Sequence, residues 1–337
     1  MTIKRKNIKK YLFPIVIAVF NLLSFLIIIF LGNEIIKIQI KINNRTRFLY
    51  SIGEKDFIFP ANIRLNYYFE PRPNHTQKFN TEWLDYEIKY TFNSDGLNER
   101  FDYSKDKEKN VYRIIAIGDS FTFGSNVNTK DNYPEVLEDY LSEKLKCSNI
   151  SNFEVINLGV PGYDIEYAVE RFYRKGIKYN PDLILWLINY WNLDNINELK
   201  IPIYNNFISS GTPSLDENSF MFTAHELAAK EVIKRIGLNN ILNQNRDILD
   251  EFSKIYKGNL VIMSFSDIPE KYKKTLSDII KLNSSFYYYP DLFNTSLDEK
   301  YHLPDNHPSK QGYIRIVEDL VSYMDGTIFS TCTVKGV

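Results

Sequence analysis

Ser120 in "IIAIGDSFTFG" has chemistry complementary to two side chains far along the sequence, Asp305 and His307 in "LPDNHPSKQG". A serine hydroxyl is a weak nucleophile at neutral pH and needs an adjacent base. A neutral imidazole can take its proton, and a carboxylate can hold the imidazole in the useful tautomer. Acyl transfer also needs donors for a developing oxyanion, each worth about 3–4 kcal/mol of barrier. Backbone N–H groups of the glycine loop "NLGVPGY", Gly159 first, and the amides of Asn189 or Asn192 in "NYWNLDN" are candidates. Each residue has a plainer reading. Ser120 can cap a helix, Gly159 and Gly162 can be turn glycines, and Asp119 suits the turn itself. His302 is the rival base, while His75 and His225 receive no role.

These four loops must meet in space, and the elements around them say how. "VYRIIAI" (111–117), "FEVINL" (153–158), "DLILWLI" (182–188), "NLVIMSF" (259–265) and the weaker "SSFYYY" (284–289) read as buried strands. Between them, residues 132–146 carry Val136, Leu137, Tyr140, Leu141 and Leu145 on one helical stripe, and residues 163–177 repeat that period. Residues 308–324 read as a final helix. Strands alternating with helices predict a parallel sheet covered on both faces, with sites at the carboxyl ends of its strands. Residues 45–105 lack a helical period and read as a β-rich accessory segment. Residues 199–224 read as a long loop, a lid over the site.

The blocks "IGDSFTFG", "NLGVPGY" and "DNHPSKQG" resemble the first, second and last characteristic blocks of the GDSL/SGNH hydrolases, and "YTFNSDGLNERF" resembles the lead-in of membrane-anchored bacterial members. The resemblance covers roughly residues 111–325. It implies a flavodoxin-like three-layer α/β/α esterase. Ser120 would be the nucleophile and an oxyanion donor through its own N–H, with Gly159 as second donor. His307 would be the general base and Asp305 its partner. Two positions depart from the pattern. The third block usually reads Gly-x-Asn-Asp; counting from Pro181-Asp182, Trp191 stands where its Asn is expected, and Asn192 or Asn189 would serve after a shift of one or two residues. The aspartate lies two residues before the histidine, where three is usual.

The run from 11 to 33 has no charge. As a helix its 23 residues span about 35 Å, enough for a hydrocarbon core of roughly 30 Å. It is longer than a signal-peptide core and lacks a small-residue cleavage site, so it reads as an uncleaved anchor. Lys4, Arg5, Lys6, Lys9 and Lys10 precede it, which predicts a cytoplasmic N-terminus and an extracytoplasmic remainder. The expected organisation is a basic tail (1–10), a transmembrane anchor (11–33), a juxtamembrane and β-rich segment (34–110), a hydrolase domain (111–326) and a C-terminal tail (327–337). Residues 35–42, "IIKIQIKI", fit either a strand or a continuation of the anchor helix.

A net charge of −1 and no basic stripe argue against a nucleic-acid partner. No phosphate loop or Cys/His cluster is visible, so no cofactor or metal is expected. Two cysteines, Cys147 and Cys332, are too few for a disulfide framework and read as free thiols. The functional expectation is a membrane-anchored serine esterase acting on an O-acetyl group of a glycan or a lipid acyl ester. An O-acyltransferase using the same residues, and an inert glycan-binding domain, are the alternatives.

Overall fold

A computed structural model describes residues 5–52, 55–60, 64–210, 217–281, 283–325, 327–329 and 332–334. The chain divides into two units, residues 1–51 and 52–337. The first is helix α1 (Arg5–Ile52), 48 residues long. Its apolar span Pro14–Asn43 covers 30 residues, longer than the expected 11–33. That is about 45 Å of helix, more than a membrane core requires. The ambiguous residues 35–42 are helical; the alternation of isoleucine and polar residues is carried on a helix with Ile35, Ile38 and Ile42 along one side.

The second unit opens with the accessory segment. Strand β1 (Phe57–Ile58) pairs antiparallel with β2 (Glu70–Pro71), and β3 (His75–Phe79) with β4 (Ile88–Phe92). These short ladders cannot stand alone and are fastened from below. Buried Glu70 pairs with buried Arg171 at 2.9 Å, and Glu198 accepts the N–H groups of Asn66 and Tyr67, both at 2.8 Å. Tyr90 and Phe92 pack their rings on Phe123.

The rest of the unit runs β5 (Val111–Ile117), α2 (Ser120–Phe123), α3 (Tyr133–Lys144), β6 (Leu145–Lys146), β7 (Asn152–Asn157), α4 (Ile165–Arg171), β8 (Leu183–Leu187), α5 (Tyr190–Leu193), α6 (Asn197–Ser210), α7 (Glu217–Ile236), α8 (Leu238–Ile255), β9 (Asn259–Phe265), α9 (Glu270–Ile280), β10 (Phe286–Leu292), α10 (Lys310–Asp325) and β11 (Thr333–Val334). Five strands form one parallel sheet in the order β7-β5-β8-β9-β10. Numbered by sequence this is 2-1-3-4-5, the flavodoxin-like order. The cause is legible in β8, "LILWL", where every residue is buried: a strand without a polar face must be covered on both sides. On one side Leu137 and Leu141 of α3 and Ile316 and Leu320 of α10 join Ile114, Leu183 and Leu185 in the core. On the other, Trp186 meets Phe252 of α8, which also packs on Phe172. The result is a three-layer α/β/α arrangement.

Two expectations need correction. Residues 199–210 and 217–224 belong to α6 and α7 rather than to a loop, and 211–216 lie outside the described residues. Pro202 and the mixed polarity of α6 obscure its period. Cys147 and Cys332 form a disulfide across a sequence separation of 185. The supposed tail returns to the domain: Phe329 is buried against Tyr112 and Phe153, and β11 pairs with β6. No local spacing announces a pairing made by that return.

Where the accessory segment meets α3 and β7, carboxyls crowd together. Burial, reinforced by the charge of Glu135, pushes the Glu99 carboxyl well above the ordinary range. Burial pushes Glu138 up to about 7. Both are protonated more readily in the folded chain, so their stabilisation is complete below about 4.5, the ordinary glutamate value, and is lost as pH climbs, through about 7 for Glu138 and through the raised value for Glu99. Asp95 and Asp305, whose pKa values are lowered, act oppositely below the ordinary aspartate value, and buried His225, pushed down to about 3, acts oppositely below the ordinary histidine value of 6.5. The domain should therefore melt at a higher temperature at pH 6.5, where His225 costs little, than at pH 8 by circular dichroism. Glu99→Gln should raise the pH 8 value and flatten the dependence; a melting temperature that rises with pH would contradict this.

Candidate active site

The site begins where β5 ends. Gly118 follows, so close to its surroundings that a Cβ there would lie 2.3 Å from Thr122 Oγ1 and 3.1 Å from the Leu187 carbonyl oxygen. Asp119 then caps α2: its Oδ1 accepts the Phe121 N–H at 2.9 Å. Its Oδ2 accepts from Trp191 Nε1 at 2.8 Å, Asn192 Nδ2 at 3.0 Å and Asn189 Nδ2 at 3.4 Å. Asp119 is thus buried with donors on both oxygens, and it ties the loop after β5 to the loop after the neighbouring β8. Ser120 is left as the first residue of α2, partly exposed at the carboxyl edge of the sheet.

The loop before α10 brings the other two groups to it. His307 Nε2 lies 2.9 Å from Ser120 Oγ, and His307 Nδ1 lies 2.7 Å from Asp305 Oδ2. A two-residue separation suffices because Asn306 between them is left-handed, with φ of +66°. Asp305 also accepts the His307 backbone N–H at 3.2 Å. An ionised carboxylate only accepts, so the geometry fits an Nδ1–H tautomer whose Nε2 lone pair faces the serine hydroxyl. Burial raises the Asp305 pKa, but hydrogen bonds from His307 and Asn126 outweigh it, and the carboxyl sits below its ordinary range. His302 is elsewhere, with Nδ1 on the carbonyl oxygens of Asp298 and Thr295.

The oxyanion candidates separate. The Ser120 N–H has no hydrogen-bond partner among the described residues. The Gly159 N–H donates to Asn157 Oδ1 at 2.9 Å, so an oxyanion would compete with that amide. A side chain at Gly159 would strike the α2 backbone, 2.3 Å from Phe123 N, which accounts for the glycine by close approach. Asn192 has no proton left: Nδ2 serves both Asp119 and the Tyr163 carbonyl at 2.9 Å, while Oδ1 accepts the Asn189 N–H at 2.7 Å. Asn189 keeps one amide proton beyond its long bond to Asp119, and it lines a cleft of about 350 Å³ that also takes in Phe121 and Asn306, chain neighbours of Ser120 and His307.

Sequence reasoning did not find Asn126. Its Nδ2 donates to Asp305 Oδ2 at 2.5 Å, and its backbone N–H donates to the Tyr90 hydroxyl oxygen at 2.7 Å. Its φ of +65° is a conformation asparagine tolerates better than most residues, but "FGSNVN" carries no other signal. Trp191 was noticed only as an irregular position; its indole N–H takes part in fixing Asp119.

No protein-family model and no curated protein matches the sequence. Among solved structures, the chain is similar to TesA at 11% identity, covering 64% of this chain and 98% of that one, with a TM-score of 0.42. It is similar to the psychrotrophic esterase EstA from Pseudoalteromonas sp. at 13% identity, covering 64% and 97%, with a TM-score of 0.39. The lipase/acylhydrolase from Enterococcus faecalis is 15% identical, with 64% and 96% covered and a TM-score of 0.37.

Replacing Asn126 by glycine, which keeps the left-handed backbone, should leave the melting temperature nearly unchanged and slow phosphonylation of Ser120 by a fluorophosphonate about tenfold, the equivalent of ~1.4 kcal/mol of barrier. A labelling rate equal to that of the unmodified protein would mean that Asp305 needs no second donor.

Proposed function

We propose that this chain is a membrane-tethered serine esterase of the GDSL/SGNH type. The reading is carried by one observation: a single imidazole within hydrogen-bond distance of both the Ser120 hydroxyl and the Asp305 carboxylate. Ser120 Oγ attacks the ester carbonyl carbon as its proton passes to His307 Nε2. The tetrahedral oxyanion is held by the Ser120 N–H and the remaining amide proton of Asn189. Collapse breaks the carbon–oxygen bond, and the leaving alcohol takes the proton from His307. Water, deprotonated by the same imidazole, then cleaves the acyl-enzyme. Asp305 keeps the Nδ1–H oriented and balances the imidazolium. Gly159 lets the loop after β7 pack against α2, and Asn192 brackets Asp119.

Ser120→Ala should abolish fluorophosphonate labelling and reduce p-nitrophenyl acetate hydrolysis by at least 10³-fold, about the scale of losing a triad member. Labelling that persists in the folded variant, or no hydrolysis by the unmodified chain, would sink the proposal.

We also place the domain outside the cytoplasm. Basic residues precede the apolar span, and the Cys147–Cys332 disulfide suits an oxidising compartment. Protease added to intact cells should digest the domain and spare an epitope fused to the N-terminus; the reverse pattern would invert the topology.

A further inference from the structure

The cleft beside Ser120 runs along the carboxyl ends of β8, β9 and β10. Its volume of about 350 Å³ is at the small end for ligand sites. Two kinds of surface meet in it. The aromatic wall includes Tyr190 and Trp191, 44% and 39% exposed despite their size. Trp191 is fixed by its indole bond to Asp119 and by packing on Phe121. Phe265, Ile268 and Pro269 extend the apolar lining, and the polar part includes Asn294, which is buried, and Asp267 and Asn306, which are exposed. Asn294 uses its Oδ1 on Ser296, but its amide protons have no partner among the described residues, nor do the side chains of Asp267 and Asn306.

Those unpartnered groups discriminate between the two halves of an ester. A long acyl chain finds apolar lining here but returns no hydrogen bond to the buried Asn294 amide or to the carboxylate and amide it would cover at Asp267 and Asn306, which costs affinity. A polyhydroxylated ring answers all three: its hydroxyls accept from the amides and donate to Asp267, while its C–H face lies on an aromatic ring. Asp267 is the single charged residue among the described residues lining the cleft. It disfavours a phosphate headgroup or an acidic sugar. Building on the esterase reading, we propose that the cleft binds a neutral pyranose, so that the substrate is an ester of a glycan hydroxyl and the sugar is the leaving alcohol.

Two measurements test this on the full-length protein in detergent. In the first, Ser120→Ala protein is titrated calorimetrically with xylohexaose, mannohexaose and chitohexaose. At least one should bind, and adding Tyr190→Ala or Asp267→Ala should weaken it tenfold or more. Failure of all three to bind overturns the proposal whatever the catalytic result. In the second, unmodified protein should hydrolyse a mono-O-acetylated methyl pyranoside with higher kcat/KM than p-nitrophenyl laurate. Tyr190→Ala and Asp267→Ala should lower the ratio of glycoside to p-nitrophenyl acetate kcat/KM at least tenfold. A preference for laurate, or equal losses on both acetates, overturns it. Absence of any Ser120-dependent hydrolysis would fall on the esterase reading and leave the calorimetric answer standing.

Discussion

The site depends on one buried carboxylate. Asp119 lies between two parallel strands that end side by side, and it gathers hydrogen bonds from the start of α2 and from three side chains after β8. A carboxylate out of water is stable only when such donors surround it. Meeting that demand fixes the turn in which the next residue is Ser120. The requirement also explains the composition of the loop after β8. Two amides and an indole converge on one oxygen, and the amide that serves it least, Asn189, is the one left facing the cleft.

A second chain of dependence runs from the accessory segment. Tyr90 on β4 packs on Phe123 and accepts the Asn126 N–H; Asn126 donates to Asp305, and Asp305 holds His307. Other backbone groups of β4 also lean on this loop, with Lys89 N–H on Asn128 and Thr91 N–H on Thr129. The small hairpin thus acts at the opposite end of a relay from the serine. It forms part of the domain by every contact that steadies it, although in sequence it reads as an appendage.

Most of the architecture is visible in the sequence because apolar runs such as "LILWL" and "IIAI" leave no alternative to a doubly covered parallel sheet. Ser120, Asp305 and His307 were legible for a related reason: each follows or precedes an element whose end is marked by Gly, Pro or Asn. What stayed hidden depends on distance. Asn126 acts through a partner 179 residues away. The disulfide is made by a return of the chain end, and α6 hides its period behind Pro202 and Asn residues. The choice between Asn189 and Asn192 could not be read from a count, because it turns on which amide protons are already engaged.

The Cys147–Cys332 bond has a consequence for biogenesis. A ribosome adding about 5–20 residues per second needs roughly 10–40 s to make the intervening 185 residues. Through that interval Cys147 must wait as a thiol. With two cysteines in the chain, a wrong partner can come only from another molecule. β5 is made before Cys147 and the other four sheet strands within that interval, so every strand of the central sheet has been synthesised before covalent closure is possible.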